Sequence, residues 1–164
     1  MSQKTTIRMT LNGQVITTEV EPRQHLVDFL RDDQFLTGSH LGCEQGACGA
    51  CTVKLNGKIV RGCLVLAVQA DQGTVETIEG LTATGNYKDL QQAFLKFNAL
   101  QCGFCTSGML LAAAELIEQK PSATREEVRE WISGNYCRCT GYQAIVDAIC
   151  FVLEERLAQV VHQS

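Results

Sequence analysis

The 164-residue chain has no apolar run near the roughly 18 residues that span a bilayer, so no transmembrane segment is expected. Its first residues, Met1-Ser2-Gln3-Lys4-Thr5-Thr6-Ile7-Arg8, lack the apolar core of an export signal. Basic runs are missing as well. With 14 Lys+Arg against 18 Asp+Glu the formal charge is −4, which argues against a nucleic-acid partner. There is no internal repeat and no low-complexity segment. Hydrophobic residues at 45% and charged residues at 20% exclude a disordered chain and suit a folded protein of one ordinary domain or two small ones.

Against these absences stand nine cysteines: Cys43, Cys48, Cys51, Cys63, Cys102, Cys105, Cys137, Cys139 and Cys150. An odd count without an export signal is a poor disulfide framework and points to the cytoplasm. Cysteines crowded at short spacings there more often hold metal. Eight fall into two sets of four, and Cys150 is left over.

The two halves of the chain differ in pattern. Thr5 to Leu11 and Gln14 to Val20 alternate as strands around Asn12-Gly13, a hairpin signal because both residues tolerate positive φ. Residues from Cys51 to Leu55 and from Lys58 to Gly62 flank Asn56-Gly57 in the same way. A short helix between the hairpins carries Leu26, Phe29 and Leu30 on one face, and Val75 to Ile78 reads as a last strand. The C-terminal half is helical. Leu90, Phe94 and Phe97 recur at helical spacing, and Met109 to Gln119 is rich in helix formers and stops before Pro121. Thr124 and Glu127 form a capping box for a helix through Trp131 that Gly134 ends. Gln143 to Val160 forms a long amphipathic run, making four helices with short connections. The expected division is residues 1–78, a linker at 79–86, and residues 87–164.

Cys43-x4-Cys48-x2-Cys51 followed by Cys63 has the spacing of a plant-type [2Fe–2S] site. Two irons need four thiolates converging within a few ångströms, so three come from one tight loop and one from a neighbouring element. Small residues in that loop let backbone N–H groups approach the sulfurs. Zinc also takes four cysteines, but usually from two separate pairs with short spacers, which fits this loop badly. Cys102-x2-Cys105 and Cys137-x-Cys139 lie at helix ends, where a thiolate is favoured by unpaired N–H groups. From spacing alone, zinc and [2Fe–2S] both remain open for this second set.

Three motifs carry a resemblance over nearly the whole chain: Gly42-Cys-Glu-Gln-Gly-Ala-Cys-Gly-Ala-Cys-Thr-Val53, Gln101-Cys-Gly-Phe-Cys-Thr-Ser-Gly-Met109 and Gly134-Asn-Tyr-Cys-Arg-Cys-Thr-Gly-Tyr142. The chain resembles the small iron–sulfur subunit of the molybdenum hydroxylases, the xanthine oxidase and aldehyde oxidoreductase family. The resemblance implies an α+β architecture, with an N-terminal β-grasp, plant-type ferredoxin-like domain followed by a four-helix bundle. It implies a [2Fe–2S] cluster on Cys43, Cys48, Cys51 and Cys63 and a second on Cys102, Cys105, Cys137 and Cys139. It also implies a large subunit with molybdopterin and a medium subunit with FAD, in a heterotrimer or a dimer of heterotrimers. Gln101 and Cys139 match positions that approach the pterin, and the first cluster lies nearer the flavin. In two places the chain departs from the family pattern. Ser107 stands where proline is common, and Tyr136 where an aliphatic residue is common.

The implied role is electron transfer. Hydroxylation at molybdenum releases two electrons, whereas each [2Fe–2S] cluster takes one, so two clusters in series pass them singly to a flavin that collects both. No substrate chemistry is visible on this chain. A free-standing two-cluster carrier and a zinc-stabilised interaction module are the competing readings. Blander readings hold for the other residues. Cys150 reads as a buried small hydrophobe, His25 as a helix-start or surface residue, and His40 as a neighbour rather than a ligand. Phe104 and Trp131 read as packing, and Arg125 to Glu130 as a solvated helix face.

Overall fold

The computed structural model describes residues 4–163; Met1, Ser2 and Gln3, part of the segment judged above to lack an export signal, lie outside the described residues. Strands β1 (Thr5–Leu11), β2 (Gln14–Val20), β3 (Thr52–Leu55), β4 (Lys58–Arg61) and β5 (Thr74–Glu76) form one mixed sheet in the order β2-β1-β5-β3-β4. β1 and β5 run parallel; the other pairs are antiparallel. Both Asn-Gly hairpins are present, with Asn12, Gly13, Asn56 and Gly57 all at positive φ, the backbone demanded by a tight two-residue turn. The two asparagines also grip β5. Asn12 Oδ1 accepts from the Thr77 N–H at 2.9 Å and Asn56 Oδ1 from the Thr74 N–H at 2.8 Å, so each turn fixes the register of the central strand.

Period-two alternation in β1 buries Ile7, Met9 and Leu11. They meet Leu26, Phe29 and Leu30 from α1 (Leu26–Asp28) and the wider π-helical turn Phe29–Asp33 that continues it. Val53, Val75 and the 3₁₀ turn Ala67–Ala70 complete this core.

The helices that follow are α2 (Ile78–Thr84), α3 (Lys88–Lys96), α4 (Thr106–Gln119), α5 (Arg125–Ile132) and α6 (Gln143–Gln163). The expected four are α3 to α6. The stretch 79–86, expected as a linker, instead forms most of α2 and its left-handed stop at Gly85, where φ is +71°. Its glycines and threonines suggested a turn, yet Leu81 packs into the helical core and tertiary burial overrides weak propensity. The Thr124 capping box is present, its hydroxyl accepting from the Glu127 N–H. The α5 face is less plainly solvated than its charges suggested, since Arg125 pairs with Asp147 of α6 and Glu127 with Lys120. α4 is the central helix, buried from Ser107 to Ile117. Among the described residues no helix is long and apolar enough to cross a membrane.

Helix α4 also docks the helices onto the sheet. Its Glu115, 5% exposed, accepts from the Ile59 N–H of edge strand β4 at 2.9 Å, satisfying a donor that the sheet leaves free. Glu118 receives the buried Lys54 ammonium at 2.8 Å and the Tyr87 hydroxyl at 2.6 Å. Burial pushes the Glu118 carboxyl up, but these two donors outweigh it and hold its pKa below the usual value. The charged pair therefore stabilises the fold above the unfolded glutamate pKa of about 4.3 and loses that contribution as pH falls on through the lower pKa of the folded state. Because Glu118 is partly solvated, Lys54→Met is expected to cost about 1–2 kcal/mol at neutral pH. Thermal unfolding should show that deficit shrinking toward zero near pH 3; a deficit independent of pH contradicts the ion-pair account.

Candidate metal centres

The first cysteine set lies in the loop between the π-helical turn and β3. Positive φ at Glu44, Gly46 and Gly49 curls this loop so that the Gln45 and Cys48 N–H groups both donate to Cys43 Sγ at 3.4 Å. These donors hold the Cys43 thiol down to about 7. Cys51 precedes β3 and Cys63 follows β4, and the Gly62 N–H donates to the Cys51 carbonyl at 3.0 Å. The second hairpin thus returns Cys63 to the loop. Burial pushes the Cys51 thiol up to about 11. Cys43 interacts with Cys48, and Cys51 with both Cys63 and Cys48, so the four thiols share one site.

The second set spans two interhelical loops. Cys102 and Cys105 lie between α3 and α4, with Cys105 capping α4; Cys137 and Cys139 lie between α5 and α6. The second of these loops is shaped by its own side chains. The Tyr142 hydroxyl accepts from the Cys137 N–H at 2.8 Å, and the Thr140 hydroxyl donates to Cys137 Sγ at 3.1 Å. Burial pushes the Cys137 thiol up, but these Thr140 contacts outweigh it and lower its pKa. Burial, then Cys137, pushes Cys105 up to about 12. Here too the thiols gather. Cys102 Sγ lies 3.5 Å from Cys139 Sγ, and Cys105 interacts with Cys137. Gln101 reaches the same spot, its Nε2 donating to the Cys139 carbonyl at 3.1 Å, and Gln101, Cys102 and Cys139 are all exposed.

Four thiols drawn together from separate chain segments can ligate a two-iron, two-sulfide unit, two thiolates to each iron. The loops also supply hydrogen-bond donors. Thr106 Oγ1 and Ser107 Oγ, just past Cys105, and Ser39 Oγ, before the first loop, are deeply placed hydroxyls without a partner. Free donors at such positions suit a group rich in sulfur acceptors.

The two sets are joined by a polar junction. The Tyr136 N–H, adjacent to Cys137, donates to the Cys48 carbonyl at 2.8 Å. Buried Asn135 donates to the Gly49 carbonyl at 3.0 Å and to Thr52 Oγ1 at 3.3 Å. Arg61 donates to Thr52 Oγ1 and to the Gly134 carbonyl, the latter at 2.8 Å. On the other side the His40 ring stacks on Phe104 at 4.7 Å between centroids, and His40 Nδ1 lies 2.9 Å from the Phe104 carbonyl oxygen. Phe104, expected as packing, touches His40 of the other lobe but stays 45% exposed. His25 precedes α1 and lies 3.9 Å from Asp28. Cys150 is half-buried against the helical core, away from both sets. Trp131 packs against the same core. Arg61 lay outside the motifs, and Thr52 and Asn135 lay inside them without anything in their spacing from the cysteines to show that the three meet. Tyr142 and Thr140 lay inside a motif but without a visible role.

One family model, described as a 2Fe-2S iron-sulfur cluster binding domain, matches residues 9–80, and another, described as a [2Fe-2S] binding domain, matches residues 77–150. The nicotine 6-hydroxylase small subunit of Paenarthrobacter nicotinovorans is 52% identical over 90% of this chain and 89% of its own length. The nicotinate dehydrogenase small FeS subunit of Eubacterium barkeri is 46% identical over 92% of this chain and 96% of its own. In the crystal structure of quinoline 2-oxidoreductase from Pseudomonas putida 86, one chain superposes with a TM-score of 0.90 at 48% identity, covering 96% of this chain and 98% of that one.

The junction is testable through Gly49, whose φ is +74° and where a Cβ would meet the Gly134 carbonyl oxygen at 2.6 Å. Gly57 has a similar φ of +79° but open space around it. Gly57→Ala is expected to cost about 1 kcal/mol, the backbone strain alone, and Gly49→Ala about 2–4 kcal/mol, because the lobes must separate. Equal losses in thermal unfolding would show that the junction contributes nothing.

Proposed function

Since this chain belongs to the family of small iron–sulfur subunits of the molybdenum hydroxylases and binds two [2Fe–2S] clusters, we propose that it passes single electrons between the molybdenum centre of a large subunit and the FAD of a medium subunit. Cys43, Cys48, Cys51 and Cys63 hold one cluster in this reading, and Cys102, Cys105, Cys137 and Cys139 the other, in two lobes that divide near residue 78. The observation that carries it is the gathering of four thiols in each set. The clusters supply one-electron steps that split the electron pair released in hydroxylation.

The chain's own residues do the rest. Exposed Gln101 and Cys139 face outward together, which suits a pterin presented by the large subunit. Their hydrogen bond holds the Cys139 backbone at the rim while Tyr142 and Thr140 fix Cys137 beneath it. Backbone N–H groups directed at Cys43 Sγ offset negative charge in the first loop. Buried Gly49, Thr52 and Asn135 form the centre of the junction between the lobes. We assign the assembly to the cytoplasm, as a heterotrimer or a dimer of heterotrimers.

Cysteine substitutions separate the two sites. In the assembled complex, Cys63→Ser and Cys105→Ser are each expected to lower iron and acid-labile sulfide from about four per chain to about two, with a different cluster's absorption and EPR signature lost in each. Cys150→Ser should keep both signatures. Retention of full iron in Cys63→Ser or in Cys105→Ser, or loss of iron in Cys150→Ser, contradicts the ligand assignment.

A further inference from the structure

Arg61 reaches both cysteine loops with one guanidinium. It ends β4, two residues before Cys63. Its Nη1 donates to Thr52, the residue after Cys51, while its Nη2 donates to the Gly134 carbonyl at 2.8 Å and to Asn135 Oδ1 at 3.4 Å, just before Cys137. Every one of these partners is neutral, and no carboxylate pairs with Arg61 among the described residues. The side chain is partly buried and carries the fixed positive charge of a guanidinium. A charge taken from water without a counter-ion is costly unless negative charge lies near it.

In the reading proposed above, that negative charge sits on both sides. Four thiolates, two sulfides and two ferric ions sum to a net negative unit, and each added electron makes it more so. A fixed cation close by favours the reduced form, and partial burial weakens the screening that would cancel it. On that reading, we infer that Arg61 is a positioning residue that serves both clusters as a shared counter-charge, raising the reduction potential of each while its hydrogen bonds hold the two loops in register. Lys58, on the same strand but exposed, is solvated and has no such effect.

The test is an EPR-monitored redox titration of the assembled complex carrying Arg61→Gln, Arg61→Lys or Lys58→Gln. Arg61→Gln is expected to make both clusters about tenfold harder to reduce, a shift of ~59 mV to more negative potential for one electron. Arg61→Lys keeps the charge and should recover most of the shift, and Lys58→Gln should leave both potentials in place. Unmoved potentials in Arg61→Gln, a shift of one cluster only, or an equal shift from Lys58→Gln overturns the inference. Should Arg61→Gln assemble without clusters, Arg61→Lys decides: near-native potentials support the counter-charge, and a tenfold shift overturns it. A wild-type complex lacking two clusters is a failure of the proposed function instead, visible before any variant is compared.

Discussion

The structure depends on a close backbone contact between two loops that each carry thiols. Gly49 sits at positive φ with no room for a side chain beneath the Gly134 carbonyl, and the Cys48 carbonyl accepts from the N–H that precedes Cys137. This contact joins the two cysteine loops directly. Asn135, buried, bonds across it to Gly49 and Thr52. Because electron transfer falls off steeply with distance, a fixed short approach between lobes matters more to this chain than any pocket on its surface.

Such a junction asks for unusual order in loops, and the fold supplies it from both sides. The Asn-Gly hairpins anchor β5 and bring Cys63 back to the first loop; α4 starts at Cys105 and runs as the central buried helix. Glu115 and Glu118 on that same helix clasp the sheet through Ile59 and Lys54. One rigid element thus ends at the second cysteine set and braces the domain that holds the first. Gly108 on α4 lies so near the Gly49 carbonyl that a Cβ there would meet it at 2.3 Å, which explains why the helix reaches the loop at all.

Much of this was legible in the sequence. Strong local signals marked the hairpins, the Thr124 cap and the periodic helices, and cysteine spacing marked both sets. Spacing left zinc open for the second set, because pairing of Cys102 with Cys139 and of Cys105 with Cys137 depends on how two distant loops meet. Residues 79–86 misled because glycine and threonine have weak helical preference and the burial of Leu81 decides the matter. The junction was illegible for the same reason: Arg61, Thr52 and Asn135 are ordinary polar residues until the lobes close. A family resemblance supplied the cofactors, but it could not show which side chains join one set to the other.

The central claim is that the chain holds two iron–sulfur units, one per lobe, at a fixed mutual approach. The most direct measurement is quantitative EPR of the native complex, isolated anaerobically and fully reduced. Two distinct rhombic species at about one spin each, with mutual broadening at low temperature, are expected. A single species, or a colourless complex rich in zinc, would contradict the account.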